Sequence, residues 1–417
     1  MPADRSRDAA GVAGAAGAAG AATVLPLAGR RIWFVGIGGA GMSALAVVAR
    51  AWGAEVAGWD RIATPYLAPL ADVAVTIAPE PPAPPTGFEI VVSTAYAGRV
   101  DGISRGAFLA ELVSLRPSIV VAGAHGKTTT SSMIAFTLAE LGRDPSYLIG
   151  GLVPQLGGNA GAGEGWLVAE GDESDRTLEL LAPQVAVVTN VDLDHHTTFA
   201  SLAEVEELFA AWLARAPHAI RGSSLEPVDF PLAVPGDHNR RNAATALAAL
   251  ELAGVSREEA APVLARFRGV GRRFERKGQV RGVTVVDDYG HHPTEVAATI
   301  AAARSAGFAR VLVLFQPHLF SRTLHLQHEF AVALAAADAV AVADIYPARE
   351  QPLPGVTGKL VVDALAARRP GMPIGWMPAL ADGARYLAAL ARPGDVVLTV
   401  GAGDVETAVE LLLAELA

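Results

Sequence analysis

One glycine-rich turn that carries a lysine is the strongest chemical signal in this sequence. Residues 123–130 read GAHGKTTT, with an apolar run at 119–121 before them and a helical pattern after them. Backbone N–H groups of such a turn can surround the β- and γ-phosphates of a nucleotide, and the hydroxyl after the lysine can bind Mg²⁺. Residue 121 is valine, so the match to G-x-x-x-x-G-K-[ST] is incomplete. The pattern predicts a triphosphate site centred on Lys127; the alternative is a chance Gly-Lys-Thr in an ordinary turn.

A second glycine turn lies near the N-terminus. Residues 36–41 read GIGGAG and stand between an apolar run and a helical pattern, which satisfies G-x-G-x-x-G. These glycines would let the backbone approach a diphosphate at the N-terminus of the helix. Asp60 ends the next apolar run, at about the right distance to meet a ribose or a base. Taken alone, the turn suggests a nicotinamide or flavin site, but any diphosphate-linked nucleotide fits the same physics. A tight turn without a ligand is the alternative.

Acidic residues and histidines follow two further apolar runs. The residues after these two runs are Glu170, Asp172, Glu173 and Asp175, and then Asp192, Asp194, His195 and His196. Mg²⁺ prefers carboxylate and phosphate oxygens, and histidine is a less common ligand for it. Beside a phosphate loop these residues are candidate metal ligands; the alternative is a solvated acidic rim.

The last third of the chain carries another polar group. DDYGHH at 287–292 and QPH at 316–318 each follow an apolar run, and Arg272 and Arg273 precede the first of them. An arginine at this place could hold a phosphate through paired hydrogen bonds. The alternative is a surface ion pair, which contributes little to stability.

The elements that must position these groups are predicted by short apolar runs. RIWFV, EIVV, VAVV and VLVLF are examples, and such continuous runs are typical of parallel strands covered on both faces. They alternate with helical patterns, so the sequence predicts an α/β fold of doubly wound units. The polar residues stand at the carboxyl ends of the strands, where open sheets of this class bind ligands.

Breaks near residues 116 and 270 divide this pattern, because each block then opens with its own strand–loop–helix signal. We predict a flexible tail at 1–28 and three domains at 29–115, 116–270 and 271–417. Residues 11–29 are uncharged but mostly alanine and glycine, without the strongly apolar stretch of about 20 residues that a spanning helix needs. The sequence therefore favours a cytoplasmic protein over an exported or anchored one.

Composition narrows the class of protein. The chain has 417 residues, of which 33 are Lys or Arg and 43 are Asp or Glu, for a formal net charge of -10. That balance argues against a general binder of nucleic acid or of anionic membranes. Apolar residues make up 51%, which indicates a globular chain. The absence of cysteine excludes disulfides, thiolate metal sites and a cysteine nucleophile.

Nine motifs in order along residues 30–405 make the sequence resemble the Mur ligases of peptidoglycan precursor synthesis. They are FVGIGGAGMSALA (34–46), GAHGKTTT (123–130), AEGDESD (169–175), TNVDLDHH (189–196), PGDHNRRNA (235–243), GVGRRFE (269–275), DDYGHHPTE (287–295), FQPHLFSRT (315–323) and GAGDV (401–405). The resemblance is closest to the members that join L-alanine to UDP-N-acetylmuramate. It implies three domains: a Rossmann-like domain for the UDP-sugar, a central ATPase domain, and a C-terminal Rossmann-like domain for the amino acid.

The resemblance also implies a reaction and assigns the first glycine turn to the UDP-sugar rather than to a nicotinamide. In that reaction ATP phosphorylates the muramyl carboxylate, and the amine of L-alanine attacks the acyl phosphate to form the amide. The residues implied for the UDP-sugar are Gly36, Gly38, Gly39, Gly41, Met42, Ser43, Asp60 and His125. Those implied for ATP are Gly123, Ala124, His125, Gly126, Lys127, Thr128, Thr129, Asn239, Asn242, Arg273 and Asp288.

Further residues are implied for the metal, the acceptor and the chemistry. Thr128 with Glu170, and Glu170 with His195, match the positions that hold two Mg²⁺ ions. The positions around L-alanine are matched by Tyr289, His291, His318 and Arg322. The residues implied for catalysis are Lys127, Glu170, His195 and Arg273. We expect no nucleic-acid or membrane partner, and a monomer or a homodimer.

The sequence departs from the family pattern at several places. Ala124 stands where threonine is usual, and Leu319 stands where arginine is frequent, which leaves Arg322 as the candidate for the amino-acid carboxylate. No lysine lies between Lys127 and Lys277, so a carbamylated lysine cannot hold a metal in the central domain. The segment from 197 to 235 is much shorter than in the family.

Three other functions stay open at this point. A related ligase that joins a murein tripeptide to the same UDP-sugar would differ in its acceptor. A nicotinamide-dependent oxidoreductase would use only the turn at 36–41. A nucleotide-binding scaffold without catalysis is suggested by the shortened central segment.

Overall fold

Three sheets follow one another along the chain in the computed structural model, which describes residues 25–194, 198–348 and 350–417. Each sheet is wholly or largely parallel and is flanked by helices, so the predicted α/β class with three domains is confirmed. The predicted tail at 1–28 lies almost entirely outside the described residues. The predicted domain limits at 115 and 270 fall between the sheets and stay predictions. Among the described residues, no helix is long and apolar enough to cross a bilayer.

The N-terminal sheet is parallel throughout and has the order β3-β2-β1-β4-β5. Its strands are β1 (Arg31–Val35), β2 (Glu55–Asp60), β3 (Ala74–Ile77), β4 (Glu89–Val92) and β5 (Ile103–Ser104), and its helices are α1 (Ala40–Ala51) and α2 (Arg105–Leu115). Ile32 and Phe34 pack on one face of β1, and Trp33 and Val35 pack on the other. Burial on both faces explains the continuous apolar run in the sequence.

The central sheet has the order β11-β10-β6-β9-β7-β8 and is parallel except for the pair β7 and β8. Its strands are β6 (Ser118–Ala122), β7 (Ser146–Val153), β8 (Gly158–Gly161), β9 (Leu167–Glu170), β10 (Val185–Val188) and β11 (His218–Arg221). Its helices are α3 (Lys127–Glu140), α4 (Leu202–Leu213), α5 (Asp237–Leu252) and α6 (Arg257–Leu264). β6 is buried along its whole length. It therefore fixes the start of the phosphate loop firmly.

The C-terminal sheet has the order β12-β13-β17-β14-β15-β16, with only β12 and β13 antiparallel. Its strands are β12 (Glu275–Val280), β13 (Val283–Asp288), β14 (Val311–Phe315), β15 (Ala339–Val342), β16 (Ile374–Trp376) and β17 (Val396–Val400). Its helices are α7 (Pro293–Ser305), α8 (Phe320–Leu334), α9 (Lys359–Arg368), α10 (Leu380–Leu390) and α11 (Ala408–Leu416). Val313 and Leu314 lie in different apolar clusters on its two faces.

The strands that the apolar runs did not predict are short or lie near an edge of a sheet. β3, β11 and β12 contain exposed residues, and like β8 they lack a continuous apolar stretch. An edge strand is paired on one side only, so its sequence need not be apolar on both faces. The strands at the centre of each sheet are the ones that set the positions of the glycine turns.

Candidate active site

The phosphate loop connects β6 to α3 in a conformation that requires glycine. Gly123 has φ 124° and Gly126 has φ 80°, values that L-residues with a side chain rarely adopt. A Cβ at Gly126 would lie 2.6 Å from the Asn242 side-chain oxygen. Asn190, beyond the end of β10, braces the loop by accepting hydrogen bonds from Ala124 N at 3.2 Å and from His125 N at 2.9 Å. The first N–H groups of α3 have no partner within the helix and point toward any bound anion.

Lys127 is the first residue of α3 and is held over the loop. Its Nζ donates to Gly123 O at 2.6 Å and to the two carboxylate oxygens of Glu173 at 3.1 and 3.2 Å. Burial opposes the charge of this ammonium, but Glu173 and Asp172 raise the pKa of Lys127 above its usual value. The lysine therefore remains a cation at neutral pH. Glu173, which the sequence marked only as one of several acidic residues, is its carboxylate partner.

Glu170 lies at the end of β9, beside the hydroxyl of Thr128. The carboxylate accepts hydrogen bonds from Gly150 N at 2.6 Å, Thr128 Oγ1 at 3.0 Å and Ser131 Oγ at 3.3 Å. Burial raises the pKa of Glu170, so a nearby cation would stabilise its charged form. Adjacent oxygens around an octahedral Mg²⁺ lie about 3 Å apart, which the Thr128 and Glu170 oxygens satisfy. The hydroxyl and carboxylate donors fit a Mg²⁺ ion, whereas His195 lies outside the described residues.

A large cavity of about 920 Å³ opens beside the N-terminal glycine turn. Of the residues implied for the UDP-sugar, those that line this cavity are Gly36, Gly38, Gly39, Gly41, Met42 and Asp60. Asp60 at the end of β2 accepts a hydrogen bond from Gly38 N at 2.7 Å and so shapes the turn. Ser43 is buried instead and donates to Ala40 O at 3.1 Å, and His125 lies at a different cavity. The structure therefore brings together most of the predicted set, but not these two.

A second cavity of about 260 Å³ lies between the central and C-terminal domains. The residues implied for ATP that line it are His125, Gly126, Thr129, Asn239, Asn242, Arg273 and Asp288. Asp288 is buried, which raises its pKa, and it accepts hydrogen bonds from Phe274 N, Gly290 N and Thr299 Oγ1. In this position Asp288 also fixes the backbone next to Arg273, whose guanidinium lies 5.1 Å from the centre of the Tyr289 ring.

A third cavity, of about 530 Å³, connects these two regions. Residues of all three domains line it, among them Gly41 and Arg105, then Ala124, Lys127, Thr128 and Glu170, then Arg273, Tyr289, His291, His318 and Arg322. Arg105 begins α2, and its Nη2 lies 3.5 Å from Asp172 Oδ2 and 3.4 Å from Asp175 Oδ2. No sequence motif singled out Arg105. It lines both this cavity and the one beside the N-terminal glycine turn, which makes it a candidate site residue that the sequence analysis missed.

The residues implied for L-alanine form one wall of the connecting cavity. Burial lowers the pKa of His291 to about 4, so its imidazole is neutral at pH 7. His318 stacks on Tyr346 at 5.8 Å between ring centres, and its Nδ1 lies 3.1 Å from Arg322 Nη1. Arg322 in turn donates to Asp194 of the central domain at 2.7, 3.0 and 3.1 Å. The arginine predicted to bind a substrate carboxylate is therefore already paired with a protein carboxylate.

A group of histidines and acids joins the central domain to the start of α7. His125 lies between Asp192, at 3.3 Å, and Glu295, at 3.2 Å. Burial alone would lower the pKa of His125, but the two carboxylates raise it to about 9. Thr294 Oγ1 donates to Asp192 Oδ2 at 2.8 Å. Glu295 also caps α7, and the P-T-E sequence after His292 is the signal from which that cap could have been predicted.

Comparisons with known proteins find two family matches and several similar proteins. Residues 31–116 match the family described as Mur ligase family, catalytic domain, and residues 272–403 match that described as Mur ligase, glutamate ligase domain. A curated UDP-N-acetylmuramate–L-alanine ligase of Streptomyces coelicolor is 41% identical over 449 aligned positions, covering 91% of this chain and 96% of that protein.

Two solved structures are similar over nearly the whole chain. The UDP-N-acetylmuramate–alanine ligase of Thermotoga maritima has a TM-score of 0.75 and 25% identity, with 92% of this chain and 98% of that one covered. A murein peptide ligase of Psychrobacter arcticus has a TM-score of 0.61 and 24% identity, covering 93% and 99%. Because the identity to the Psychrobacter arcticus protein is only 24%, that similarity shows the fold alone.

Proposed function

The chain belongs to the Mur ligase family, and from that membership we infer that it joins L-alanine to UDP-N-acetylmuramate in peptidoglycan precursor synthesis. One observation carries the inference beyond similarity: a single cleft is lined by the N-terminal glycine turn, by Lys127 and Glu170, and by His291 and Arg322. A sugar acid, a triphosphate and an amino acid could therefore meet there. The glycine turn at 36–41 serves the UDP-sugar in this proposal, and not a nicotinamide.

The first step is the transfer of the γ-phosphoryl group of ATP to the muramyl carboxylate. Both partners are anions, and their repulsion is severe in a cleft from which water is excluded. Lys127 and Arg273 supply positive charge on two sides of the transferred group. Thr128 and Glu170 would hold Mg²⁺, which neutralises charge on the β- and γ-phosphates when it is bound. Glu173 keeps the ammonium of Lys127 in place above the loop.

The second step is the attack of the alanine amine on the acyl phosphate, which releases phosphate and forms the amide. The neutral imidazole of His291 does not repel an incoming ammonium, and Arg322 lines the same cavity. Arg322 uses Nε and Nη2 for Asp194, so its Nη1 side, next to His318, would be the part that meets the alanine carboxylate. One methyl group more or less changes binding by only about 1–3 kcal/mol, so slow reaction with glycine or L-serine is expected.

The proposal is tested by measuring ADP release with ATP, Mg²⁺, UDP-N-acetylmuramate and L-alanine, omitting one component at a time. We expect release only with the complete mixture, and a loss of at least about 10³-fold in Lys127→Ala, because the phosphates lose their fixed cation. Lys359→Ala is the matched control, since that lysine is exposed on α9.

Folding must be checked in the same variants by circular dichroism, because Lys127→Ala leaves the buried Glu173 without its lysine. The companion variant Lys127→Ala/Glu173→Gln removes that charge and should be equally inactive. ADP release that does not depend on the UDP-sugar, or turnover with a murein tripeptide but not with L-alanine, would overturn the proposal.

A further inference from the structure

Two histidines and one aspartate from two domains bring their donor atoms close together. His125 and Asp192 follow strands of the central sheet, and His292 precedes α7 of the C-terminal domain. We propose that this cluster binds a transition-metal ion of the zinc class, separate from the Mg²⁺ of the reaction, and that the bound metal holds the central and C-terminal domains together.

The distances match the coordination sphere of zinc. Asp192 Oδ2 lies 3.3 Å from His125 Nε2 and 3.6 Å from His292 Nδ1, and all three donor atoms lie within 4.8 Å of one another. Ligands at about 2.0–2.1 Å around a tetrahedral zinc ion are separated by about 3.3–3.4 Å. Two of the three separations are therefore within a few tenths of an ångström of those of a formed site.

The protein also orients the imidazoles for metal binding. Glu295 Oε1 lies 3.2 Å from Nδ1 of His125, which directs the proton to that atom and turns Nε2 toward Asp192. Such a carboxylate behind a histidine is the usual second partner of a zinc ligand. Nδ1 of His292 accepts only a long hydrogen bond, from Thr294 N at 3.4 Å, and a metal would take the lone pair of this nitrogen in place of that bond. A metal would displace the proton that the carboxylates hold on His125.

The donor set distinguishes this cluster from the Thr128–Glu170 pair. Imidazole nitrogen suits zinc, cobalt and nickel, whereas Mg²⁺ prefers an all-oxygen set. His125 and Asp192 line the nucleotide cavity, from which a water molecule could supply a fourth ligand. Mg²⁺ and a zinc-class ion should therefore occupy different places in the same cleft.

A metal at this cluster would tie together the two walls of the nucleotide cavity. We expect Zn²⁺ to slow turnover by holding that cavity closed over ADP. Metal binding itself is measured without nucleotide or UDP-sugar, so it succeeds or fails independently of the proposed ligase activity.

The experiment uses the full chain without an affinity tag, in buffer with excess Mg²⁺ to occupy oxygen sites. Co²⁺ binding is followed by its visible absorption and Zn²⁺ binding by equilibrium dialysis. His292→Asn is the decisive variant, because asparagine is a good N-cap and can keep the hydrogen bond to Thr294 N while it removes the imidazole. His218→Asn is the matched control at an exposed histidine of β11. Glu170→Gln removes the carboxylate assigned to Mg²⁺.

We expect one tetrahedral Co²⁺ per chain in the wild type, in His218→Asn and in Glu170→Gln, and a loss of affinity of at least about 10-fold in His292→Asn. If His292→Asn does not fold, Asp192→Asn is measured in its place with the same expectation. Absence of Co²⁺ and Zn²⁺ binding in the wild type would overturn the proposal. Equal affinity in His292→Asn, or a loss only in Glu170→Gln, would overturn it as well.

Discussion

The central domain meets the N-terminal domain mainly through apolar side chains and the C-terminal domain mainly through charged ones. On the first side, α1 packs on β7 and β8, and α2 packs on the short segment Thr177–Leu180. Leu112 of α2 and Leu178 of that segment belong to one apolar cluster that runs through both domains. The N-terminal and central domains therefore share part of a hydrophobic core.

On the second side the contacts are made by loops and helix starts at the ends of the sheets. Arg322 pairs with Asp194, His125 pairs with Glu295, and Thr294 donates to Asp192. Apolar contact is insensitive to pH, whereas ion pairs depend on the protonation of each partner. The cavity of about 260 Å³ that is lined by residues implied for ATP lies at this charged boundary.

Among the changes that test the two boundaries, Arg322→Met is expected to cause the largest loss of stability. This variant keeps an apolar stem but leaves the buried Asp194 without its arginine, which should lower the free energy of unfolding by about 3–5 kcal/mol. Urea unfolding measures it, and adding Asp194→Asn should restore most of the loss. Arg385→Met is the matched control, because Arg385 and Asp382 are an exposed pair for which less than about 1 kcal/mol is expected. Equal losses in the two variants would show that the charged boundary contributes little.

A somewhat smaller loss of stability is expected when the pH is raised. The folded-state pKa of His125 is about 9, above the ordinary value of 6.5, so its contribution is complete below pH 6.5 and is lost as pH rises through 9. The free energy of unfolding should fall by up to about 3 kcal/mol across this window. His291, with a pKa of about 4, does not titrate there. Thermal melting of the wild type and His125→Gln checks this; a parallel pH dependence in both would contradict it.

The smallest effect is expected from Gly106→Ala on the apolar side. A Cβ at Gly106 would lie 2.6 Å from the Thr177 side chain, and such overpacking typically costs about 1–3 kcal/mol. Alanine within a helix recovers up to about 1 kcal/mol, so a net loss of up to about 2 kcal/mol is expected. With Thr177→Ala the clash is relieved and the sign should reverse. Denaturant unfolding measures both, and a stabilising effect of Gly106→Ala alone would mean that this boundary is loosely packed.

The difference between local sequence pattern and contacts across domains explains how much could be predicted from the sequence. The central strands and both glycine turns were predictable because a strand buried on two faces needs a continuous apolar run, and positive φ at Gly123 and Gly126 needs glycine. Local pattern therefore located the phosphate loop, Lys127 and Glu170 at the end of β9.

The pairings across domains were not predictable in that way. Asp194 and Arg322 are 128 positions apart, and nothing in their local sequence indicates that they meet. Arg105 likewise belongs to no motif, because its role depends on where α2 starts relative to β9. Ser43 was predicted at the UDP-sugar but faces the interior, since the rotation of α1 about its axis is set by packing. Sequence pattern specifies elements, and tertiary packing decides which of their side chains reach the cleft.

The separate apolar layers on the two faces of the C-terminal sheet have a consequence for modularity. A fragment that starts just after Gly271 carries both of these layers complete, so it is suited to fold by itself as an isolated unit. A fragment that stops at residue 115 would instead cut through the apolar cluster that contains Leu112 and continues into the central domain at Leu178. The C-terminal part of the chain is thus the one that recombination could exchange with the least damage to the remainder.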